Sequence, residues 1–307
     1  MCDNGNMQSG DDKKAKKTIK KLCLGTAQFG MDYGIANESG KILPEEVSEI
    51  LDFAYIKNVK ILDTASSYGD SEKLIGDYTN KTSNCFDVIT KVVQAEGDPD
   101  FSIRECVEKT LKGLKMSSLY GCLFHCNENI HAASKVLKIL SRLKNIGLVK
   151  KIGVSIYTTE ELDYLLDNFK DFDLIQFPYS IIDQRFEKYF LLLKDNNVEV
   201  HVRSVFLQGL VFLGKDRISK EFLSAQAILG KIYQIANELD ISVVSMCLCF
   251  ALINPFIDNV IVGVDSADQL KQNLDSVKEC QKVNLVYDEL KALSCNDENI
   301  LLPYKWT

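Results

Sequence analysis

Eight times along this chain a short apolar run is followed by a longer amphipathic stretch, and that rhythm constrains the fold more than any other feature. The short runs fall at residues 21–25, 59–62, 86–90, 119–124, 151–154, 174–177, 198–205 and 260–264. Each is brief and apolar, as a parallel strand buried on both faces must be. Between them lie stretches with helical spacing. Residues 44–57 open on Pro44 and carry a stripe of Val47, Ile50, Leu51 and Ala54. Helices are likewise expected over 71–78, 102–114, 131–146, 159–168, 186–195, 224–239, 267–277 and 287–293, with Gly147 as a stop signal after the fourth of these nine. Residues 241–253 are apolar on all sides and read as helix or strand alike. Strand–helix alternation with short links builds a parallel sheet, and eight units close into an α/β (β/α)8 TIM barrel of typically about 250 residues. An open doubly wound sheet uses the same alternation and stands as the alternative. No linker rich in Pro, Gly or Ser divides the 307 residues. The expectation is one barrel domain, residues 19–307, behind a disordered polar arm, residues 1–18.

Charge excludes some functions. The chain carries 36 basic and 43 acidic residues, net −7, where a duplex-binding surface needs a basic excess. The basic run Lys13, Lys14, Lys16, Lys17, Lys20 and Lys21 reads as a solvated arm, with a nucleic-acid or membrane tether as the lesser alternative. No apolar run reaches 18 residues, and the N-terminal stretch lacks the apolar segment of a secretory signal. The ten cysteines are scattered, several inside apolar runs where a thiol acts as a small hydrophobe. Cys122 and Cys126 come near metal-ligand spacing, but no second pair complements them, so no metal is expected. These features point to a cytoplasmic protein with reduced thiols.

The informative residues are those that end the apolar strands. Residues 59–62 deliver Asp63, residues 88–90 deliver Lys91, and residues 122–124 deliver His125. In a (β/α)8 barrel the strand C-terminal ends meet at one face, where active sites lie. Tyr68 follows Asp63 by five residues in the loop Thr64-Ala65-Ser66-Ser67-Tyr68-Gly69, on the same face. An acid, an amine, an imidazole and a phenol therefore converge. Taken singly, each has a plain structural reading: a cap, a packing aromatic, a surface lysine, a satisfied histidine. His131 and His201 have no such context and read as structural.

In order and spacing, Asp63-Thr64-Ala65-Ser66-Ser67-Tyr68-Gly69, Ile89-Thr90-Lys91 and Leu123-Phe124-His125 resemble the catalytic tetrad of the aldo-keto reductases, in a bacterial-type member. Leu24-Gly25-Thr26-Ala27-Gln28-Phe29-Gly30 is similar to that family's first strand and loop, and the likeness spans nearly everything after the arm. The resemblance implies transfer of hydride from a nicotinamide cofactor to an aldehyde or ketone, with Tyr68 as general acid. A free phenol, with a pKa of about 10, is a poor acid at neutral pH. A nearby ammonium favours its ionised form, which is the expected part of Lys91. Asp63 would hold Lys91 charged and oriented, and His125 would hydrogen-bond the carbonyl oxygen or the phenol.

The same resemblance implies cofactor contacts from Gly25, Thr26, Ala27, Ser155, Gln176, Arg203, Ser204, Leu207, Gly209, Gly263, Asp265, Gln269 and Asn273. Ser155 and Gln176 fall where the family holds the nicotinamide amide, although the common asparagine after that serine is Ile156 here. Arg203 stands where many members place an aromatic ring that stacks on the nicotinamide. Asp265 stands where the family usually has a basic residue facing the 2′-phosphate. NADP(H) is the expected cofactor on family grounds, with NAD(H) the alternative for which Asp265 argues; Lys215 or Arg217 would supply the missing charge. The 31–35 loop and Arg203 resemble members found near surface-sugar pathways, implying a sugar or nucleotide-sugar carbonyl. Tyr304 and Trp306 are candidates for the pocket mouth, with packing against the barrel equally open. Two competing functions remain: a cofactor-sensing barrel subunit with little turnover, and a lyase using Lys91 as a Schiff base, which an adjacent Asp63 disfavours. The expected partner is a small-molecule carbonyl; oligomeric state is not legible.

Overall fold

The alternating rhythm folds into a ring. A computed structural model describes residues 10–306 except 36, 38–39, 94–97, 127–128, 170 and 214–221. Its eight strands are β1 (Leu22–Gly25), β2 (Ile61–Asp63), β3 (Asp87–Val92), β4 (Leu119–His125), β5 (Val149–Ser155), β6 (Leu174–Pro178), β7 (Glu199–Arg203) and β8 (Asn259–Gly263). They lie in sequence order, all parallel, and β8 pairs with β1. The open-sheet alternative is therefore set aside: the chain is a single (β/α)8 barrel.

Register carries the polar strand ends inward. In a parallel ladder paired residues face the same way, and alternate residues along a strand share a face. Asp63 pairs with Ile89, and Lys91 lies two residues further along β3. Lys91 pairs with Leu123, and His125 lies two residues further along β4. His125 pairs with Ser155, and Ser155 with Gln176. All five polar side chains thus share the inner face at the C-terminal ends. Below them Ile89, Leu123 and Leu174 form an apolar layer, joined by Ile61 and Tyr120. The barrel floor is polar again. Glu199 accepts from Tyr120 Oη at 3.0 Å, pairs with Lys151, and lies 2.9 Å from His201 Nε2. Asn259 Nδ2 sits 2.8 Å from the same imidazole nitrogen.

The helices form the outer shell, and local chemistry sets their ends. Thr158 caps helix Thr159–Asn168 by accepting from Glu161 N, while Glu161 accepts from Thr158 N. Helix Ala133–Asn145 stops just before Gly147, whose φ of +83° suits glycine. The ambiguous 241–253 segment is helix Val243–Ile253, capped by Ser242. Its residues Ser245 to Leu252 are all buried, because helices pack on it from outside as the barrel does from inside.

Two expectations shift. The described part of the polar arm is helix Gly10–Ile19, not solvated coil. The reason is packing: Ala15 and Ile19 lie against the core, and Lys21 Nζ donates to the carbonyls of Leu252 and Asn254 at 3.2 and 2.9 Å. Residues 1–9 of the arm lie outside the described residues. Strand β7 ends at Arg203 rather than residue 205, because Ser204 turns to φ +63°. Among the described residues no single helix is long and apolar enough to cross a membrane.

Candidate active site

The Tyr68 loop is held by hydroxyls and by two glycines. Thr26 N and Oγ1 both donate to Asp63 O at 3.0 Å. Ser71 Oγ donates to Thr26 Oγ1 at 2.8 Å, and Thr64 Oγ1 donates to Ser71 Oγ at 3.2 Å. Ser66 Oγ donates to Lys91 O at 3.0 Å, tying the loop to β3. A Cβ on Gly30 would fall 1.7 Å from Tyr68 O, and one on Gly69 would fall 2.4 Å from Gly30 O. Gly69 also carries φ +51°. The loop after β2 can therefore rest on the Ala27–Gly30 turn only because both positions lack a side chain.

On this platform Tyr68 comes up to the strand-end pair Asp63 and Lys91, with His125 one strand further round. Lys91 Nζ donates to Asp63 Oδ2 at 2.5 Å and to Thr64 O at 3.0 Å. The same nitrogen lies 5.2 Å from the centroid of the Tyr68 ring. Lys91 is only 2% exposed. Burial acts to lower its pKa, but the Asp63 carboxylate, with help from Tyr68, outweighs it and holds the amine above its ordinary value. An amine held toward its charged form is the wrong state for a Schiff-base nucleophile. His125 is the opposite case: burial, then the charges of Lys91 and Arg203, push it down to about 3. Its imidazole is neutral at pH 7, and its Nδ1 is a buried atom with no hydrogen-bond partner. Its ring stacks 6.5 Å from Tyr157.

A cavity of about 460 Å³ opens from Asp63 and Tyr68 and reaches Asp265, Gln269 and Asn273, within the usual size range of ligand sites. Of the expected cofactor contacts, Gly25, Thr26, Ala27, Arg203, Ser204, Gly209 and Gly263 line it as well. Three do not. Leu207 has φ +46° and is fully buried in the hydrophobic core. Ser155 and Gln176 lie deeper and are engaged: Ser155 Oγ donates to Gln176 Oε1 at 3.2 Å, and Gln176 Nε2 donates to Asp63 Oδ1 at 2.8 Å. A hydrogen-bonded line thus runs Ser155, Gln176, Asp63, Lys91 across the barrel mouth.

At the far end Asp265 precedes helix Ala267–Ser276, which Ser266 caps. Asp265 N donates to Gln269 Oε1 at 2.8 Å, and Gln269 Nε2 donates back to Asp265 Oδ2 at 3.3 Å. Asp265 Oδ1 is buried without a partner, and burial raises the carboxyl's pKa. Lys215 and Arg217 lie outside the described residues. Arg203 lies 4.0 Å over the Tyr157 ring and donates from Nη2 to Ile156 O at 3.0 Å. It thus occupies the space beside the residue that replaces the usual asparagine. Tyr304 packs edge-on against Tyr157 at 5.2 Å, whereas Trp306 packs on Phe222 and donates to Asn299 O.

Three site residues escaped the sequence reading. Tyr33, in the loop after β1, accepts from Gln208 Nε2 at 3.2 Å. The residue is 38% exposed, yet partial desolvation at the cavity edge, then Tyr68, push its pKa up to about 12. Tyr157 follows β5 by two residues, so the rule that strand ends carry function would have flagged it. Gln28 lines the cavity against Gly263, where a Cβ would fall 2.5 Å from its amide nitrogen; nothing local marks it.

A closed barrel thus carries a carboxylate–ammonium pair, a phenol and a neutral imidazole at the C-terminal end of its strands, with Asp63 and Tyr68 on the cavity wall. The sequence profile of the aldo/keto reductase family matches residues 21–294, and the chain belongs to that family. The uncharacterized oxidoreductase YqkF of Bacillus subtilis is 23% identical over 296 residues, 90% of this chain and 95% of that protein. L-galactose dehydrogenase of Arabidopsis thaliana is 23% identical, covering 87% of each chain. The holo form of aldo-keto reductase AKR11C1 from Bacillus halodurans superposes with a TM-score of 0.73 at 20% identity, covering 91% of this chain and 95% of that one.

Proposed function

We propose that this protein is an NAD(P)H-dependent carbonyl reductase in which Tyr68 donates the proton. The observation that carries the reading is Lys91, bonded to Asp63 at 2.5 Å and poised 5.2 Å from the Tyr68 ring centre. A bound nicotinamide cofactor supplies hydride to the carbonyl carbon. The chain's own residues handle the charge that results. As negative charge builds on the carbonyl oxygen, Tyr68 passes its hydroxyl proton to that oxygen. The Lys91 ammonium offsets the charge left on the phenol, and Asp63 keeps the ammonium in place. Gln176 fixes the other Asp63 oxygen and so the pair's orientation. His125, neutral, would offer a ring N–H to the substrate oxygen.

The cavity fits the cofactor through an acceptor at its far end. Asp265 Oδ1, unpartnered, suits a ribose hydroxyl and would repel a 2′-phosphate. Family resemblance favours NADP(H); this carboxylate favours NAD(H). Binding of both cofactors to wild type and Asp265→Arg separates the two. If Asp265 faces the 2′ position, the variant gains NADPH affinity by at least tenfold. A sugar or nucleotide-sugar carbonyl is the substrate class we favour, supported by the polar groups Tyr33 and Arg203 on the cavity wall and by the likeness to L-galactose dehydrogenase.

The deciding experiment is cofactor oxidation with a panel of aldehydes, ketones and aldoses, using wild type and Tyr68→Phe. Turnover lost in the variant with cofactor binding retained fits the proposal. Full turnover in Tyr68→Phe refutes it. Cofactor binding without turnover of any carbonyl would favour the cofactor-sensing alternative.

A further inference from the structure

Behind β8, in the helical shell and away from the site just described, two thiols touch. Cys280 Sγ donates to Cys249 Sγ at 2.7 Å, and Cys249 Sγ donates in turn to Ser276 O at 3.1 Å. A disulfide bond measures about 2.05 Å, so the sulfurs stand within roughly 0.7 Å of bonding distance. Cys249 sits in the buried helix Val243–Ile253 with no exposed surface, and Cys280 opens helix Cys280–Leu285 at 8% exposure. Cys280 is thus the sulfur an oxidant reaches, and Cys249 the one that resolves.

We propose that Cys249 and Cys280 form a modification site, a dithiol that closes to a disulfide on contact with a peroxide or a small-molecule disulfide. With hydrogen peroxide, the Cys280 sulfur takes one oxygen to become a sulfenic acid, and one water leaves. The Cys249 sulfur then attacks that sulfenic sulfur. The S–S bond forms, the S–O bond breaks, and the hydroxyl leaves with the Cys249 proton as a second water. The two sulfurs lose two electrons in all, and the peroxide gains them. With glutathione disulfide, Cys280 displaces one glutathione thiol and Cys249 displaces the other.

The position gives the bond a consequence. The segment it closes, residues 249–280, contains β8 together with Asp265, Gln269 and Asn273, the far wall of the cavity. A cross-link over about 30 residues removes freedom from the unfolded chain and raises the melting temperature by roughly 5 °C in a chain of this size. The site is independent of the catalytic proposal: it stands or falls whether or not Tyr68 is the acid.

The test uses the full chain, reduced, exchanged into buffer, and treated with hydrogen peroxide or glutathione disulfide. After quenching, the protein is unfolded in denaturant with iodoacetamide and digested without reduction. The expected result is a linked peptide pair joining Cys249 to Cys280, lighter than the reduced pair by two hydrogens. The melting temperature should rise and return on adding dithiothreitol, and the rise should be absent in Cys280→Ser, whose change at the shell edge spares the buried helix. Recovery of both cysteines alkylated after oxidation overturns the proposal. So does a link from either to another cysteine, or a rise that persists in Cys280→Ser.

Discussion

Removing the charge of Lys91 is the sharpest test of the catalytic reading, because the structure sets its size. A unit charge acting over the 5.2 Å from Lys91 Nζ to the Tyr68 ring centre, at an effective dielectric of about 20, is worth about 3 kcal/mol. That stabilises the ionised phenol but not the neutral one, so its loss falls on the proton-transfer step. The expected effect of Lys91→Met is a fall in kcat of roughly a hundredfold, with cofactor binding little changed. Lys91→Met alone also strands the Asp63 carboxylate, 4% exposed, without its cation. Breaking one half of a buried pair costs about 3–5 kcal/mol of stability, which could mimic a catalytic loss. The companion Lys91→Met/Asp63→Asn removes both charges and keeps the Gln176 contact. It should melt close to wild type yet show the same loss of kcat. Steady-state kinetics and melting curves on the three proteins separate the effects. A double variant that binds cofactor and turns over within threefold of wild type refutes the argument.

Other perturbations follow from the same geometry. Gly30→Ala places a methyl 1.7 Å from Tyr68 O, so the loop must move; kcat should fall at least tenfold with a lowered melting temperature, and an unaffected kcat would show that Tyr68's placement is not critical. His125 has a folded pKa of about 3, below its ordinary 6.5, so its stabilising neutral form is fully in place above about pH 6.5 and is lost as pH falls toward 3. An acid limb near pH 6.5 in the kcat profile that vanishes in His125→Asn would contradict this. On the barrel floor, burial would raise Glu199, but His201 and Lys151 draw it down to about 2 from 4.5. Its stabilisation, up to about 3 kcal/mol, is present above pH 4.5 and fades toward pH 2. Glu199→Gln should therefore lower the urea midpoint at pH 7 far more than at pH 3, and equal shifts at both would argue against a folded-state ion pair.

What was legible in the sequence, and what was not, divides along one physical line. Strand ends announce themselves, because an ionisable residue after an apolar run has few reasons to be there other than a shared face. Asp63, Lys91 and His125 could be read for that reason, and the register then delivers them inward without further information. The segment 241–253 was ambiguous because a helix buried on every side has lost the amphipathic signal that distinguishes it. The polar arm misled for a related reason. Its charged composition describes its solvent side, while Ala15 and Ile19 are too few to show as a stripe yet suffice to dock a helix end. The loop after β7 lay beyond reading because Ser204, Leu207 and Gln208 take φ of +63°, +46° and +52°, values that no residue type there signals. Leu207, a cofactor contact by family resemblance, has its side chain in the core and off the cavity wall.

That loop also explains why the cavity wall is harder to read than the tetrad. Ile35 N donates to Gln208 O at 3.1 Å, and Gln208 Nε2 reaches the Tyr33 hydroxyl, so the loops after β1 and β7 join over the cavity. Neither loop packs like a strand, and neither carries a periodic pattern; each is shaped by the other. Left-handed conformations at non-glycine residues cost about 1 kcal/mol or more each and persist where surrounding contacts hold them. Asp63, Lys91 and His125 thus sit on the register-fixed inner face of the barrel, while the far side of the cavity mouth is built from paired loops that hold left-handed residues. Substitutions in the 31–35 and 204–213 loops are therefore expected to reshape the cavity while leaving Asp63, Lys91 and His125, which the strand register fixes, where they are.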